Sequence, residues 1–466
     1  MHTRWFSVLL RLALRAGLCT MASTMAAAAP PSDPSSAVPL QRTTSAAPRY
    51  SQLRYDTDYP TIDYSAPATD NPIARLQKRL ERGEVRLEFN GPRGYLDSLL
   101  VLLGIDPSSQ VLVYSKTSLQ VDHISAATPR AIYFNDDTYV AWVQGSNLLE
   151  MSVMDASRGA VFYSLDNRPE APSRFERHTS ECLACHDTYS MAGGGVPRFL
   201  IDSTLVDTDG IIVGNQISHE TDDRTPLSDR WGGWYVTGVP DAESHLGNIQ
   251  IRSSGQLVQA KATPRGTLAS LTGLFDTAPY ITDKSDIVAL LVLEHQLEAK
   301  NLIIRTNFKA RSFLARDAAA RAPETVTLAT AAPATQAAVR HMTEELVEAL
   351  LFKDAVAYRN PIAGSSGYDR WFAAQGPRDA QGRSLRDFDL HTRLFRYPLS
   401  YVIYSEAFDA LPEDVKRGVY ARIREVLNGQ DDSGQFDYLS ANDKTAMLQI
   451  LTATKPDFAA SFAAAR

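Results

Sequence analysis

The chain has 466 residues, of which 44% are hydrophobic and 22% charged, a balance typical of a globular protein large enough to bury a sizeable core. Its formal net charge of −7 argues against nucleic acid as a partner, because a polyanion binds basic surfaces. After the N-terminus no apolar run is long enough to cross a bilayer, so we expect no transmembrane anchor in the mature chain.

The first 29 residues have the pattern of an export signal peptide. A positively charged start is followed by small and apolar residues over 16–29, with four alanines before Pro30. We expect cleavage near Ala29 and localisation in the periplasm. Residues 30–50, rich in Pro, Ser, Ala and Thr, predict a disordered linker. The positive charges of the signal are Arg4, Arg11 and Arg15.

Three cysteines occur in the chain, and cleavage of the signal would remove Cys19. The mature protein then keeps Cys182 and Cys185. Spare thiols risk incorrect oxidation in an oxidising compartment. A mature chain with just these two therefore fits a periplasmic protein in which both are consumed by one covalent attachment.

Residues 51–314 predict a mixed α/β region. Helical periodicity covers 73–82, and a short apolar helix covers 95–103 and ends at Gly104. Runs rich in β-branched and aromatic residues, separated by turn-forming residues, then predict a small antiparallel sheet. Its runs are 110–114, 131–134, 139–143 and 159–164, and further strand-like runs are 210–213 and 234–237.

Helices dominate from residue 287 onward. Asp286 is placed to cap a helix that we expect to run to about Leu314. An Ala/Pro-rich linker is expected over 315–335, and a helical C-terminal region over 336–466. These patterns predict an α+β fold, with a β-containing N-terminal and central region and a mainly helical C-terminal region. The C-terminal helices are expected at 337–351, 399–408, 412–427 and 441–452.

The most informative pattern of the chain is Cys182-Leu-Ala-Cys185-His186. In c-type haem attachment, two cysteine sulfurs add to the two vinyl groups of one haem, and the histidine that follows binds the iron. The two-residue gap puts both thiols on one turn of backbone. The pattern therefore predicts one covalently bound haem c, with His186 as the proximal iron ligand.

A Cys-x-x-Cys pair also occurs in redox dithiols and in zinc sites. His178 and His186 flank the cysteines and would complete a Cys2His2 set, although no second Cys-x-x-Cys or paired-histidine arm exists elsewhere. A thioredoxin-like dithiol expects a strand-to-helix context, whereas residues 167–173 before the motif are loop-like. Zinc and dithiol chemistry are thus the weaker interpretations.

The iron of such a haem has a second axial position opposite His186. A side chain there gives an electron carrier, whereas an open position admits peroxide, oxygen or a small ligand. His219 and His245 are the candidate distal ligands, because both fall in a polar segment rich in tryptophan. Each is as readily an ordinary surface or hydrogen-bonded histidine. Met191 and His295 are further candidates for which packing is the favoured role.

Three arginines near the motif are candidates to bind the two haem propionates, since the guanidinium fork pairs well with carboxylates. They are Arg174, Arg177 and Arg198. Solvent exposure is the common alternative for any single arginine. His178 is expected to orient the peptide or a propionate rather than to bind iron.

The motif resembles the haem attachment site of c-type cytochromes, and the wider chain resembles a group of bacterial proteins described as cytochrome c domain-containing. The resemblance implies a thioether-linked haem, His186 as proximal ligand and haem insertion after export. Small soluble cytochromes c are compact helical domains with a downstream methionine ligand, and di-haem peroxidases carry two such motifs. This larger chain with one motif departs from both. The matching segments are 114–120, 129–136, 177–182, 230–238 and 394–401.

The favoured function is a periplasmic mono-haem c-type cytochrome that transfers single electrons to or from a periplasmic redox partner protein. The alternative is a haem c enzyme or sensor with an open iron position that acts on peroxide, oxygen or a small redox substrate. The size of the chain favours this alternative, because an electron carrier does not need a scaffold of this size. A zinc-stabilised secreted binding module is the third hypothesis.

Overall fold

The computed structural model describes residues 61–67, 69–187, 195–214, 219–240, 243–252, 256, 266–321 and 326–461. The expected signal peptide, the linker over 30–50, Cys19 and Met191 lie outside these ranges. The described residues belong to one compact unit. One hydrophobic core runs through both its β-containing part and its helical part.

An antiparallel sheet forms the β part of the fold and confirms the predicted α+β class. The strands are β1 Val111–Val113, β2 Arg130–Phe134, β3 Thr138–Trp142, β4 Leu148–Asp155, β5 Gly159–Asp166, β6 Phe175–His178, β7 Asp202–Ser203, β8 His219–Glu220 and β9 Trp234–Tyr235. Seven of them pair in the order β6-β5-β4-β3-β2-β1-β9, and β7 pairs with β8 in a separate ribbon.

The main sheet has one buried face and one partly covered face. Ile132, Ala141 and Glu150 are direct cross-strand neighbours on β2, β3 and β4, and all three are half-buried. The residues that alternate with them, such as Tyr133 and Trp142, are fully buried, because successive side chains of a strand point to opposite faces. The partly covered face is therefore the one on which a further group can pack.

The strand predictions differ from the structure at β4, at the short strands β6, β7 and β8, and at 210–213. β4 is absent from the sequence prediction, because Val153 is its only β-branched residue and it has no aromatic residue. The predicted run 210–213 is not a strand. Gly210 has a φ of 80°, and the chain turns so that the Asp207 amide donates to the Ile211 carbonyl at 2.9 Å. Ile212 makes an isolated bridge with Val206.

Helices form most of the remaining structure. The helices are α1 Pro72–Glu81, α2 Leu96–Leu103, α3 Leu183–His186, α4 Ile287–Ala320, α5 Pro333–Leu350, α6 Tyr368–Ala373, α7 Glu406–Asp409, α8 Glu413–Leu427, α9 Ala441–Thr454 and α10 Pro456–Ala460. Within the described ranges, none of them combines the length and the apolar character that a membrane crossing requires.

The linker expected over 315–335 is helical at both ends. α4 continues six residues beyond Leu314 and ends at Ala320, and α5 already begins at Pro333. Alanine favours the helix interior, and proline is well tolerated in the first helical turn. The alanine-rich residues therefore continue α4, and the proline begins α5. The two helices pack directly against each other.

The helix expected over 399–408 is divided into two short pieces. A 3-10 helix covers Tyr401–Tyr404, and α7 follows it. Ser405 lies between them in an extended conformation, with φ −72° and ψ 150°, and its side chain accepts from the Phe408 amide. A serine that can cap a new helix thus ends the preceding one.

Asp286 is the N-cap of α4, as predicted. The first ten residues of this helix, 287–296, are all buried, so its free amides cannot reach water. One carboxylate oxygen accepts from the amides of Val288 and Ala289 at 2.9 and 3.2 Å. The other accepts from the amides of Ser365 and Ser366 at 2.6 and 2.8 Å.

Replacing Asp286 with alanine should destabilise the protein by about 3 kcal/mol or more, because four backbone amides lose their acceptor inside the core. Ser440→Ala is the matched control, since Ser440 is an exposed cap that accepts from the Asp443 amide of α9. Its loss should cost about 1 kcal/mol. Urea unfolding of the two variants measures both values, and equal losses would contradict a special role for Asp286.

Candidate functional site

The Cys-x-x-Cys-His motif forms a single helical turn directly after β6. The His186 amide donates to the Cys182 carbonyl at 3.0 Å, and the Asp187 amide donates to the Leu183 carbonyl at 3.0 Å. Residues three apart in a helix lie on the same side, so both thiols share one face of α3. Both are free, with Cys185 exposed and Cys182 half-buried.

His186 is held by the main chain of Arg198. Its Nδ1 lies 2.8 Å from the Arg198 carbonyl oxygen, and the Arg198 amide donates to the His186 carbonyl at 3.0 Å. A carbonyl can only accept, so Nδ1 carries the proton and the neutral ring keeps its lone pair on Nε2. Nε2 has no hydrogen-bond partner among the described residues. The Phe162 ring, 4.5 Å away, packs against the imidazole.

The imidazole of His186 is neutral at pH 7. Burial, with a smaller effect of the charges of Arg198 and Arg130, lowers its pKa to about 4, although the bond to the Arg198 carbonyl and the charge of Glu150 oppose the shift. Metal ions bind the neutral form of histidine. The ring therefore presents an unprotonated Nε2 without any cost of losing a proton.

Cys182 lacks the acidity of a reactive dithiol. Burial raises the pKa of its thiol to about 11, and the negative charge of Glu150 acts in the same direction. Redox-active Cys-x-x-Cys pairs have a thiol whose pKa is lowered by nearby positive charge or a helix N-terminus. The environment of Cys182 therefore disfavours the dithiol interpretation.

Asn301 of α4 holds the backbone of Phe199, the residue directly after Arg198, whose carbonyl bonds to His186. Its side-chain amide oxygen accepts from the Phe199 amide at 2.8 Å, and its amide nitrogen donates to the Phe199 carbonyl at 2.9 Å. Phe199 follows Arg198, so α4 holds the peptide that orients the imidazole. The sequence prediction missed Asn301, because more than one hundred positions separate it from its partner.

The guanidinium groups of Arg198 and Arg174 differ in their surroundings. Arg198 is 2% exposed, and it makes two hydrogen bonds with Glu220, at 2.6 and 2.7 Å. Its side chain is thus already paired with a carboxylate, and its contribution to His186 comes from the backbone. Arg174 is exposed and has no side-chain partner in the part of the chain that the structure describes.

Arg177 lies on the face of the sheet opposite to Phe162, the residue that contacts His186. It pairs with Tyr163 across β5 and β6, whereas Phe162, the residue that contacts His186, pairs with His178. Successive residues of a strand face opposite sides. The Arg177 guanidinium donates to the main-chain carbonyls of the 64–66 turn instead.

Arg130 is the arginine near the motif that the sequence prediction missed. It lies on β2, two residues from Ile132, and so shares the partly covered face of the sheet. Its Nη1 donates to the Thr117 carbonyl at 3.1 Å, but its buried Nε has no partner. Burial lowers the pKa of its guanidinium. A buried cation with an unused donor can pair with an anion that arrives from outside the chain.

Glu150 shares this face, and its charge acts on both Cys182 and His186. Its carboxylate accepts three hydrogen bonds, at 2.5 to 2.9 Å, from the side chains of Ser118 and Gln120 and from a backbone amide. Arg130 and Glu150 lie on different strands, and the sequence does not show that they share one face of the sheet. Their proximity to the motif can be predicted only when the pairing register of the strands is known.

His178 does not join the cysteines. Its Nε2 lies 2.8 Å from the Ser164 hydroxyl, and its Nδ1 lies 3.6 Å from the Glu181 carboxylate. Its ring thus links β6 to β5 and to the turn before the motif, in line with an orienting role. In the described ranges, no three His, Cys, Asp or Glu side chains are grouped so that they could hold a metal ion.

The structure gives the distal candidates different surroundings. His219 is exposed on β8. His245 is fully buried; its Nδ1 accepts from the Gly247 amide at 3.1 Å, and its Nε2 lies 3.4 Å from the Thr267 hydroxyl. Both ring nitrogens of His295 are also bonded, as described below. None of the three contacts His186 within the residues that the structure describes.

Comparison of the chain with known protein families, with curated proteins and with solved structures finds no match. The cytochrome hypothesis therefore depends on the residues of the motif and their surroundings.

His245 should make the stability of the protein depend on pH. Burial lowers its pKa to about 4, below the value of about 6.5 for an unfolded chain. Between these values the unfolded state binds more protons, so the free energy of unfolding falls as the pH falls. His245→Asn keeps an acceptor for the Gly247 amide and should reduce the slope by up to about 1.4 kcal/mol per pH unit.

Urea unfolding between pH 7 and pH 4 measures this slope. His341→Asn is the control, because His341 is a histidine with a 76% exposed side chain and its loss should leave the slope as in the wild type. An unchanged slope in the His245 variant would show that this ring is not held neutral by burial.

Proposed function

We propose that the chain is a periplasmic mono-haem c-type cytochrome, with haem c attached through Cys182 and Cys185 and with His186 as the proximal ligand. The observation that carries the proposal is the hydrogen bond from His186 Nδ1 to the Arg198 carbonyl. It leaves Nε2 unprotonated and oriented, which is how proteins prepare a histidine for a metal.

The residues of the site fit a covalent haem. Two free thiols lie on one helical turn, and neither is bonded to another group in the described structure. The partly covered sheet face beside the motif offers half-buried Ile132 and Ala141. Haem supplies one-electron redox chemistry when bound. The protein orients the imidazole through Arg198, packs it against Phe162 and limits its contact with water.

Arg130 is proposed to bind a haem propionate, because its buried Nε lacks a partner. Arg174 is the second proposed partner, since its side chain is exposed and unpaired among the described residues. Each would pair a carboxylate with a guanidinium. Arg177 and Arg198 also have a buried Nε without a partner, but their Nη groups already bond to main-chain carbonyls and to Glu220.

The proposal includes export. Residues 1–29 have the pattern of a signal peptide, and attachment of haem c follows export. The partner is then a redox protein of the periplasm that exchanges single electrons with the haem.

An open iron position is the second candidate, which would make the chain a haem c enzyme or sensor. It is favoured by the state of two histidines, since His245 and His295 have hydrogen bonds at both ring nitrogens. Breaking these bonds would leave buried groups unsatisfied. Reduced absorption spectra with and without carbon monoxide distinguish the two candidates, because the gas shifts the Soret band only where the sixth position is accessible.

Co-expression with a cytochrome c maturation system tests the attachment. The wild-type chain should carry one haem that survives denaturation, and Cys182→Ala/Cys185→Ala should carry none. His186→Ala should change the absorption spectrum, because the iron loses its proximal imidazole. His341→Ala is the control, because the side chain of His341 is 76% exposed, and it should keep the wild-type spectrum. A wild-type product with two free sulfhydryls by mass spectrometry would overturn the proposal.

Arg130→Met should lower the reduction potential of the haem protein, because loss of a nearby positive charge favours the oxidised iron. The same change should lower the stability of the haem-free chain by only about 1 kcal/mol, since the guanidinium makes one hydrogen bond there, from Nη1 to the Thr117 carbonyl. Arg177→Met is the control, with the opposite expectation of a larger loss of stability and a smaller change in potential. If both variants shift the potential equally, Arg130 is not a propionate partner.

A further inference from the structure

A second site lies away from the motif, in a cavity of about 280 Å³. Its walls come from the segments 352–358 and 392–398, together with Asp223, Arg230 and Tyr438. Aromatic and aliphatic side chains form most of the lining, with Phe352 and Phe395 among the aromatic ones. Ligand pockets are commonly apolar with a few polar groups that fix orientation, so the polar groups of this wall decide which ligand can bind.

A hydrogen-bonded chain of three side chains fixes Asp223 at the wall. His295 Nδ1 lies 2.6 Å from Asp223 Oδ2, and His295 Nε2 lies 2.7 Å from the Ser400 hydroxyl. The Ser400 hydroxyl also accepts from the Val402 amide at 3.2 Å. Ser400 is fully buried and does not line the cavity. The arrangement therefore presents the carboxylate to the cavity rather than a serine nucleophile.

The backbone of Asp223 is equally constrained. Its carbonyl accepts from the Val356 amide at 2.9 Å and from the Arg230 guanidinium at 3.0 Å, and its amide donates to Glu298 at 3.3 Å. Its Oδ1 has no hydrogen-bond partner among the described residues. Asp223 thus offers one carboxylate oxygen from a rigid position.

The positive groups on the wall are already paired. Arg230 bonds to Glu294 at 2.8 Å, and Arg393 bonds to Asp443 at 2.8 Å. Asp223 Oδ1 is then a carboxylate oxygen at the wall without a hydrogen-bond partner among the described residues, and a positively charged donor would supply one.

Backbone strain is concentrated at the same place. Phe352, Asp354 and Leu390 have φ values of 59°, a left-handed conformation that is unusual for large side chains. Phe352 stacks on His295, with ring centroids 4.2 Å apart and an interplanar angle of 19°. Such strain persists where the surrounding structure enforces it, and it is common at ligand sites.

We propose that this cavity binds a small organic amine. Its ammonium group pairs with Asp223 Oδ1, and its apolar body packs against Phe352 and Phe395. An ammonium neutralises a carboxylate that is shielded from water, and aromatic faces attract a cation. Tyr358, which also lines the cavity, offers a hydroxyl as a second polar contact. The site is independent of the proposed haem attachment.

Isothermal titration of the full mature chain with benzylamine tests the proposal, with benzyl alcohol and benzoate as the neutral and anionic analogues. Benzylamine should bind with one site per chain and about tenfold or more tighter than benzyl alcohol, and benzoate should not bind. Asp223→Asn should remove the preference for the amine. Asp222→Asn is the matched control, because Asp222 bonds to Arg224 and does not line the cavity.

Val356→Phe provides an independent variant, since it fills the cavity and leaves Asp223 in place. It should abolish binding of benzylamine while circular dichroism shows an intact fold. The proposal is overturned if benzylamine does not bind the wild-type chain, if the three compounds bind equally, or if binding survives the Val356 substitution in a folded protein.

Discussion

The buried N-terminus of α4 is the constraint on which the rest of the structure depends. A helix surrounded by core needs an acceptor for its first amides, and Asp286 supplies it while also binding the amides of Ser365 and Ser366. The adjacent Ser285 hydroxyl links the Leu112 amide of β1 to the Tyr235 carbonyl of β9. Two residues therefore join the sheet, the long helix and a distant loop.

The helix fixed in this way carries side chains for both sites. His295 orients Asp223 in the amine cavity, and Asn301 holds Phe199 beside the peptide that binds His186. Six residues separate the two side chains, about 9 Å along the helix axis. The two sites are chemically separate but are positioned by one rigid element.

The sequence predicted those elements whose signals are local. Gly104 ends α2 in a left-handed conformation, and Asp286 caps α4, because capping depends on residues next to one another. The predicted linker bounds of 315–335 were too wide at both ends, since composition rich in alanine and proline suits helix starts and interiors as well as linkers. β4 was not predicted because it has one β-branched and no aromatic residue.

The candidate site was predictable as far as its residues are neighbours in the sequence. Two cysteines and a histidine at fixed spacing are visible in the sequence, whereas the partners that orient them are not. The contribution of Arg198 is made by its peptide group, which any residue possesses, while its guanidinium binds Glu220. Arg130 acts on His186 through its charge, and Asn301 holds Phe199, only because the sheet register and the path of α4 bring them to these positions.

The two hydrogen bonds between His186 and Arg198 close the chain into a ring at that point. The position of the imidazole is then set by main-chain groups of residue 198, twelve positions further along the chain. Any amino acid with a backbone amide can supply both groups, and proline alone cannot, because its nitrogen carries no hydrogen.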